Sequence, residues 1–404
     1  MKNQLDAIDR VAAWIDEGRL LKSEGVTSIS LSRALARLSG AKLEYEETRD
    51  ETEIANQIGE HDQILYVLID GLGLNQRKHF LPGGFFDRSC VRDIRSVFPS
   101  TTAAALTSLY SGAWPGIHGV TGWFTYLPEF QQTVIPLVGV ERFSKRSMRH
   151  YGISFDDITH VPSMLSQINR VGRGYTFRKY RSGAFANWSR GGTEIEGYRS
   201  LENGIKRLLR HYESPKRLEP AFINFYYSEI DNLSHQYGWD SPEVIREIKR
   251  VDRQLKRARA VLPDSVRIVV SADHGHVNVP DEEHKLLIRG DELIDYLLCP
   301  HSGEARAPLF HVIPGSESDF YRAFMDRFGD SFQLITPDVA ESLRLYGPDP
   351  LSSRTRSHLG TFIGIARDAS AIEYVDEVEG GGVGHIGMHG GMSRDEVAVP
   401  LFLA

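Results

Sequence analysis

Three short apolar runs, each followed by polar residues, constrain the fold of this chain more than any other feature. They are residues 64–69 (ILYVLI), 221–227 (AFINFYY) and 266–270 (VRIVV). Runs of this length with nearly continuous apolar character are typical of strands that are buried on both faces of a parallel sheet. The sequence therefore predicts a sheet that is covered on both sides.

A helix is predicted between the second and the third run. Ser241 and Pro242 suit the N-cap and the first position of a helix. The apolar residues that follow at helical spacing are Val244, Ile248, Val251 and Leu255. Strand, helix and strand form a βαβ unit, so the predicted fold class is α/β, with an open, mostly parallel sheet flanked by helices. Ligands of such sheets bind beyond the carboxyl ends of the strands.

The chain divides into three predicted parts. Residues 1–60 show helical periodicity, and we expect them to form a peripheral helical lead-in. Residues 61–282 and 381–404 would form the α/β core, which ends in a closing strand. Residues 283–380 interrupt the pattern with alternating strand and helix signals, and we expect a smaller inserted subdomain that resembles a cap. A chain of 404 residues is long enough for this arrangement.

Composition and charge narrow the classes of protein to be considered. The formal net charge of −7 argues against a broad nucleic-acid-binding surface. The two cysteines, Cys90 and Cys299, are too few for a disulfide framework and fit a reducing compartment. The first residues lack the apolar segment of a secretory signal, and no run of about 18 apolar residues could span a bilayer. We therefore expect a cytoplasmic protein with neither a membrane segment nor a nucleic-acid polymer as partner.

Carboxylate and imidazole groups follow the first and third predicted strands. Asp70 comes directly after the first run, and Asp273 and His274 follow the third, before Gly275. Adjacent residues of a strand point to opposite faces, so Asp273 and His274 can bind one ion only where the strand gives way to a loop. Gly275 favours such a loop. Taken alone, an aspartate at a strand end is more often a turn former or a helix cap.

Further candidate ligands lie elsewhere in the chain. Asp231 and His235 are four residues apart, a spacing that places both on one face of a helix, and His389 lies in the glycine-rich segment 387–391. Three carboxylates at one sheet edge would repel one another, and divalent cations would remove that conflict. Oxygen and nitrogen ligands without a thiolate favour Zn²⁺, with Mn²⁺ or another divalent ion as the alternative.

A hydroxyl group stands at the start of another predicted helix. Thr101 or Thr102 precedes an apolar run, residues 103–106 (AAAL). The free N–H groups at a helix N-terminus attract anions. A hydroxyl there could attack phosphorus if a metal ion lowered its pKa. The more usual role of such a residue is a plain N-cap.

Taken together, these motifs resemble those of the alkaline phosphatase superfamily, and most closely its type I phosphodiesterase/nucleotide pyrophosphatase family. In chain order, the matching segments are Asp70-Gly71, Phe98-Pro99 with Thr102, Tyr110-Ser111-Gly112, His118-Gly119, Asp231 with His235, residues 271–275 (SADHG), and His389-Gly390-Gly391. The matches cover most of the predicted core. The resemblance implies an alkaline-phosphatase-like fold that holds two divalent metal ions.

The resemblance also implies a role for each candidate residue. The ligands of one ion would be Asp231, His235 and His389, and those of the other would be Asp70, Asp273 and His274. Thr102, rather than Thr101, aligns with the nucleophile of the family and would bridge toward the second ion. The implied reaction passes through a phosphothreonine intermediate that water then hydrolyses, with the two ions stabilising the attacking and leaving oxygens.

Two positions depart from the family pattern. Trp123 stands where an asparagine often contacts a phosphate oxygen, and Ala103 stands where an aromatic residue often stacks on a nucleobase. Both departures put nucleotide specificity in question and leave the predicted ligands intact. Trp123, Phe124 and Tyr126 would either form an aromatic wall at the site or pack in the core.

Other polar residues are candidates for smaller roles. His276 and His385 lie near predicted ligands in the sequence, and we expect them to have supporting or structural roles rather than to bind metal. Lys145, Arg146 and Arg306 could reach a substrate phosphate, although solvated surface charge is the usual explanation for such residues.

The predicted function is cleavage of a phosphodiester or pyrophosphate bond in a small phosphorylated substrate. The alternatives on the same metal centre are a phosphomonoesterase, a phosphonate hydrolase and a phosphotransferase. A non-catalytic binding protein built on the same fold is less favoured, because every type of ligand is retained.

Overall fold

The computed structural model describes residues 2–213, 219–376 and 384–404. The helices are α1 (Lys2–Asp16), α2 (Ser28–Leu38), α3 (Arg49–Ile58), α4 (Phe85–Ser89), α5 (Thr102–Ser111), α6 (Pro115–His118), α7 (Ala184–Ser189), α8 (Leu201–Tyr212), α9 (Glu229–Tyr237), α10 (Pro242–Val261), α11 (Glu317–Phe328), α12 (Pro337–Ser342), α13 (Ser353–Leu359) and α14 (Arg394–Val397). None of these described helices combines the length and apolar character that crossing a membrane requires.

The strands fall into one large sheet and several smaller ones. They are β1 (Gln63–Ile69), β2 (Cys90–Arg95), β3 (Thr125–Leu127), β4 (Gln132–Ile135), β5 (Val140–Glu141), β6 (Val171–Phe177), β7 (Glu194–Tyr198), β8 (Ala221–Tyr227), β9 (Val266–Ser271), β10 (Val277–Asn278), β11 (His284–Ile288), β12 (Ser302–Glu304), β13 (Ala307–Phe310), β14 (Phe332–Ile335), β15 (Phe362–Ala366), β16 (Ala371–Val375), β17 (Gly387–Met388) and β18 (Ala398–Leu403).

The large central sheet has the strand order β2-β18-β9-β1-β8-β6-β7. Strands β9, β1, β8, β6 and β7 run parallel, and β18 pairs antiparallel with both β9 and β2. All seven residues of β1 are buried, as expected of a central strand that is covered on both faces. The predicted α/β class with an open, mostly parallel sheet is therefore confirmed.

Helix α10 connects β8 to β9 and confirms the predicted βαβ unit. The Ser241 hydroxyl accepts a hydrogen bond from the Val244 N–H at 3.3 Å, and Pro242 occupies the first turn. The buried apolar face contains Val244, Ile248, Val251 and Leu255. Burying each of these side chains contributes about 1.5–3 kcal/mol to the free energy of unfolding. Packing rather than helix propensity therefore holds α10 against the sheet.

A second, antiparallel sheet has the order β12-β13-β15-β14 and lies within residues 283–380. Helix α11 contributes Phe320, Phe324 and Phe328 to an apolar cluster that also contains Phe310 and Phe332. The rings of Phe310 and Phe324 lie 5.2 Å apart. The three-part division of the chain stays a prediction, and its boundary between residues 380 and 381 lies outside the described residues.

Helices of the first sixty residues contact both sheets. Val11 and Trp14 of α1 share an apolar cluster with Leu309 of β13. Leu31 and Leu35 of α2 belong instead to the cluster around the central sheet. These helices therefore contribute apolar surface to two separate cores.

A buried ion pair joins the second sheet to the last helix. Arg306 is 1% exposed and donates to the Glu396 carboxylate from Nε at 2.7 Å and from Nη2 at 3.0 Å. Its Nη1 donates to the carbonyl oxygens of Asp368 and Ser370, both at 2.8 Å. Because protein acceptors engage Nε, Nη1 and Nη2 of the guanidinium, Arg306 has a structural role and does not serve as a contact for a substrate phosphate.

The Arg306→Met variant is expected to be destabilised by about 3–5 kcal/mol, because Glu396 would keep a buried charge without its partner. Urea unfolding followed by tryptophan fluorescence measures the loss. The matched control is Arg19→Met, which removes a half-exposed pair with Glu17 at 2.8 Å. Exposed pairs contribute about 0–1 kcal/mol, so the control should unfold nearly as the wild type does. Equal stability of the two variants would contradict this assignment.

Candidate metal centre

The ends of β1 and β9 bring together the first group of candidate ligands. The two strands pair in parallel, with Leu68 opposite Ser271, so the residues that follow them are neighbours. Asp273 Oδ1 accepts a hydrogen bond from the Gly71 N–H at 3.1 Å. His274 Nε2 lies 3.5 Å from Asp70 Oδ1 and 3.6 Å from Asp273 Oδ2. Asp70, Asp273 and His274 are all buried, and one ligand atom from each lies within 4.8 Å of the others.

A second group of ligands surrounds Asp231 on α9. His235, one helical turn later, places Nε2 3.4 Å from Asp231 Oδ1, and its Nδ1 lies 2.7 Å from the carbonyl oxygen of Gly387. His389 follows β17, and its Nε2 lies 3.7 Å from the same Asp231 oxygen. Strand β17 therefore orients His235 through its backbone and also leads the chain to His389. The structure brings together all three residues predicted for this ion.

Thr102 lies between the two groups. Thr101 occupies the N-cap of α5, and Thr102 is the first residue of the helix. Its Oγ1 lies 3.0 Å from His274 Nε2 and 3.5 Å from Asp70 Oδ1. The plain N-cap interpretation therefore does not apply to Thr102, whose hydroxyl points toward the ligands at a helix N-terminus.

The charges of this centre suit a bound cation. Burial and the neighbouring Asp273 and Asp231 carboxylates raise the pKa of Asp70 well above its ordinary value. Burial also raises the pKa of Asp273. For Asp231, burial acts in the same direction, but His235 and His276 hold the pKa well below its ordinary value. Two of the three aspartates thus cannot readily ionise together unless positive charge is bound between them.

Unsatisfied atoms also fit metal binding. Asp273 Oδ2, His276 Nδ1 and His389 Nδ1 are buried without a hydrogen-bond partner among the described residues. Buried polar atoms of native proteins are nearly always satisfied, so Asp273 Oδ2, which belongs to the first ligand group, points to a missing partner. Carboxylate oxygens and imidazole nitrogens without a thiolate are a donor set that suits Zn²⁺ or another divalent ion. The residues present therefore fit two divalent cations.

The structure makes His276 a candidate ligand, in addition to the supporting or structural role expected from the sequence. Its Nε2 lies 3.1 Å from Asp231 Oδ1, and ligand atoms of Asp231, His274, His276 and His389 all lie within 4.8 Å of one another. Both positions lie in the loop between β9 and β10, and His276 reaches Asp231 through the placement of α9. The His385 ring lies 4.4 Å from the His235 ring and packs against that predicted ligand.

Two other residues of the site carry no strong sequence signal. The Tyr226 hydroxyl donates to Asp70 Oδ2, and Glu304 of β12 accepts a hydrogen bond from the Trp123 N–H. Burial raises the pKa of Glu304 to about 7. Tyr226 and Glu304 both line the cavity beside the ligands. The alternation of strand residues could have indicated Tyr226, whereas β12 reaches the site only through tertiary packing.

The ligand groups open into a cavity of about 960 Å³. Trp123 and Phe124 line it, as the aromatic-wall interpretation predicts, whereas Tyr126 is buried against His311 with ring centroids 4.6 Å apart. Lys145 and Arg146 are exposed and are absent from the lining. Among the described residues, Lys179 is the one lysine or arginine that lines the cavity.

The fold and the two ligand groups define an α/β protein with a candidate two-metal centre at the carboxyl ends of its central strands. More narrowly, the chain belongs to the type I phosphodiesterase/nucleotide pyrophosphatase family, whose family model matches residues 67–392. The resemblance stated from the sequence is thereby confirmed.

Individual relatives match shorter segments. Venom phosphodiesterase 2 of Crotalus adamanteus is 30% identical over 80 residues, which cover 19% of this chain and 10% of the venom protein. Human ectonucleotide pyrophosphatase/phosphodiesterase family member 1 is 24% identical over 203 residues, which cover 46% of this chain and 20% of the human protein. The matches thus span a tenth to a fifth of these curated relatives.

Two solved structures share the fold over most of both chains. Murine ectonucleotide pyrophosphatase/phosphodiesterase 5 superposes with a TM-score of 0.61 at 15% identity, covering 84% of this chain and 87% of the murine chain. Phosphonoacetate hydrolase of Sinorhizobium meliloti, in complex with phosphonoformate, superposes with a TM-score of 0.60 at 14% identity, covering 84% and 89%. At these identities the comparison establishes the fold alone.

Proposed function

We propose that the protein is a hydrolase that cleaves a phosphodiester or pyrophosphate bond with Thr102 as nucleophile and two bound divalent cations, preferably Zn²⁺. The position of Thr102 carries the proposal. Its hydroxyl lies within hydrogen-bonding distance of His274, close to Asp70, and on the wall of the cavity where a substrate would enter. Family membership supports the same class of reaction.

The residues suggest how each step would proceed. The Thr102 hydroxyl releases its proton to solvent, Oγ1 forms a bond to phosphorus, and the bond from phosphorus to the leaving-group oxygen breaks as that oxygen takes up a proton from solvent. Free N–H groups in the first turn of α5 would face the phosphoryl oxygens. Water then cleaves the Thr102 phosphoester and regenerates the hydroxyl. When bound, the divalent cations would supply positive charge to the attacking and leaving oxygens. Tyr226 holds Asp70 in place through its hydroxyl.

The charges around the cavity favour a diester over a monoester. A monoester carries one more negative charge than a diester near neutral pH and needs additional cations. The described lining contains one lysine, Lys179, and no arginine, and Glu373 adds a carboxylate to it. A substrate whose phosphoryl group carries a single charge therefore suits this site better.

A phosphonate hydrolase is the second candidate. The fold is shared with a phosphonoacetate hydrolase whose solved structures contain phosphonoacetate or phosphonoformate. The same fold comparison includes an inactive variant of murine ectonucleotide pyrophosphatase/phosphodiesterase 5 in complex with AMP. Substrate tests must therefore include both chemistries. A cytoplasmic location remains a prediction from the sequence.

The wild-type enzyme is expected to hydrolyse bis(nitrophenyl) phosphate with a kcat/KM on the order of a hundredfold above that for nitrophenyl phosphate, because the additional charge lacks a cationic partner. Release of nitrophenol measures both reactions, and release of inorganic phosphate from phosphonoacetate tests the second candidate. A preference for the monoester would contradict the proposed specificity. Turnover of phosphonoacetate alone would favour the phosphonate hydrolase.

A further inference from the structure

One stretch of the chain differs sharply in charge from the rest. Residues 142–193 contain ten lysines and arginines but two acidic residues, Asp156 and Asp157, whereas the whole chain has a formal net charge of −7. The net charge of the protein therefore conceals a local excess of positive charge. Such an excess attracts anionic partners to the surface that carries it, whatever the sign of the whole molecule.

Two exposed segments of this stretch place cations beside an aromatic ring. Phe143, which is 47% exposed, begins the segment 143–149, and Tyr180, which is 38% exposed, lies in the segment 178–181. The exposed cations of the two segments are Lys145, Arg146, Arg149, Arg178, Lys179 and Arg181. None of them forms an ion pair with a carboxylate in the part of the chain that the structure describes. Their charge is thus available to a partner.

Both segments border the mouth of the cavity. Lys179 and Tyr180 line the cavity, and so does Val138, which is 52% exposed in the turn between β4 and β5. The carbonyl oxygen of Gly139 in this turn accepts a hydrogen bond from the Met148 N–H at 3.0 Å, which ties the turn to the segment 143–149. We call Val138 and the segments 143–149 and 178–181 the mouth surface.

The exposed ring of Phe143 is held in place from behind. The guanidinium carbon of Arg142 lies 3.9 Å from the ring centroid of Phe124, which lines the cavity, and 5.2 Å from that of Phe143. The rings of Phe143 and Tyr374 lie 6.1 Å apart. Phe143 is therefore fixed beside the mouth while nearly half of it remains in water. Apolar groups that stay exposed together at the entrance of a site indicate an interaction surface.

The mixture of charges and apolar groups favours a lipid surface over a soluble polyanion. Cations alone would attract any polyanion. Val138, Phe143 and Tyr180 gain from leaving water only where the partner offers apolar material beneath its charges. An anionic bilayer offers both, because its acidic headgroups cover the acyl chains. Peripheral contact of this kind needs no membrane-spanning helix.

We propose that the mouth surface docks on an anionic lipid bilayer, with the cavity open toward the headgroups. The cations contact acidic headgroups, and Val138, Phe143 and Tyr180 enter the boundary between headgroups and acyl chains. Docking gives a role to Lys145 and Arg146, which lie too far out to line the cavity. The inference does not depend on Thr102 as nucleophile, so docking and catalysis can fail separately.

Cosedimentation of the full chain with vesicles tests the docking. Vesicles of phosphatidylcholine and phosphatidylserine in equal parts are compared with vesicles of phosphatidylcholine alone. We expect binding to the anionic vesicles only, weakened on the order of tenfold when the salt concentration rises from about 0.1 M to about 0.5 M. Absence of binding to the anionic vesicles, or equal binding to both kinds, would overturn the inference.

A matched pair of triple variants locates the contact. The first replaces Lys145, Arg146 and Arg149 with glutamine, and the control replaces Lys249, Arg253 and Arg257 of α10, which are exposed or half-exposed and do not line the cavity. Each cation contributes about fivefold to vesicle affinity, so the first variant should bind roughly a hundredfold more weakly and the control as the wild type does. Equal losses in the two variants would overturn the placement.

Two further measurements separate the alternatives. Phe143→Ser should weaken binding to anionic vesicles about tenfold at unchanged net charge, since the ring no longer leaves water. No change in that variant, or an oligothymidylate that displaces the protein from vesicles at a lower concentration of charge than free anionic vesicles do, would favour a nucleic acid and overturn the lipid assignment. Hydrolysis of a soluble nitrophenyl phosphodiester should be unchanged in all these variants, and its absence in the wild type would refute the proposed function alone.

Discussion

Replacing Thr102 with alanine is expected to reduce the turnover of a phosphodiester by a factor on the order of 10³–10⁶. The variant loses the only atom that can form the covalent bond to phosphorus in the proposed reaction. Metal content should remain near that of the wild type, because the two ligand groups keep their carboxylates and imidazoles. Release of nitrophenol measures turnover, and elemental analysis of the dialysed protein measures metal content.

Two further variants make this result specific. Thr102→Ser keeps a hydroxyl at the same position and should restore part of the activity. Thr107→Ala removes another buried hydroxyl of α5, which donates to the Ala103 carbonyl oxygen at 2.8 Å and is not part of the candidate site. We expect that control to turn over substrate nearly as the wild type does. Wild-type rates in Thr102→Ala would exclude the proposed nucleophile.

Removing divalent cations is expected to abolish turnover and to lower stability. At a metal concentration a thousand times the dissociation constant, binding stabilises the folded state by about 4 kcal/mol per site. Loss of that binding would also leave Asp70, Asp231 and Asp273 buried close to one another. Dialysis against a chelator, followed by thermal unfolding and by assays after addition of Zn²⁺, Mn²⁺ or Mg²⁺, measures both effects and identifies the preferred metal.

Substitutions in the two ligand groups should separate the ions. Asp70→Asn and Asp231→Asn are each expected to reduce the metal content from about two ions per chain to about one, because each replaces a charged ligand of a different ion. Asp264→Asn changes an exposed carboxylate far from the site and should bind metal as the wild type does. Two retained ions in both variants would contradict the assignment of ligands.

The same measurements distinguish an enzyme from a binding protein. A protein that binds two ions and yet turns over no phosphodiester, phosphomonoester or phosphonate would favour the non-catalytic alternative. Turnover that depends on both the ions and Thr102 would exclude it. Metal content and catalysis must therefore be measured on the same preparations.

Several features of the fold follow from local patterns. The apolar run of β1 could be assigned as a strand because a strand buried on both faces does not need alternating polar and apolar residues. Helix α10 could be assigned from its N-cap and its apolar face. Asp231 and His235 could be paired because four residues of helix bring side chains to one face wherever the helix lies. The parallel orientation of β8 and β9 followed from the βαβ unit, whereas the position of β1 between them did not.

Other features depend on contacts between distant segments. Arg306 pairs with Glu396, which is 90 residues away, and no residue near Arg306 in the sequence indicates this partner. The sequence therefore could not distinguish a buried structural arginine from an arginine that contacts a substrate phosphate. Glu304 reaches the cavity because β12 packs beside Trp123, 181 residues earlier in the chain. His276 becomes a candidate ligand only because α9 places Asp231 opposite it.

The sequence by itself determined the kind of chemistry available, because oxygen and nitrogen ligands and a hydroxyl at a helix start are properties of residue type and local spacing. The tertiary structure alone decided which of these groups meet and what space surrounds them. Distances between side chains of different strands and helices depend on packing across the whole sheet, and the cavity beside Thr102 exists only where α5, α7 and β6 come together.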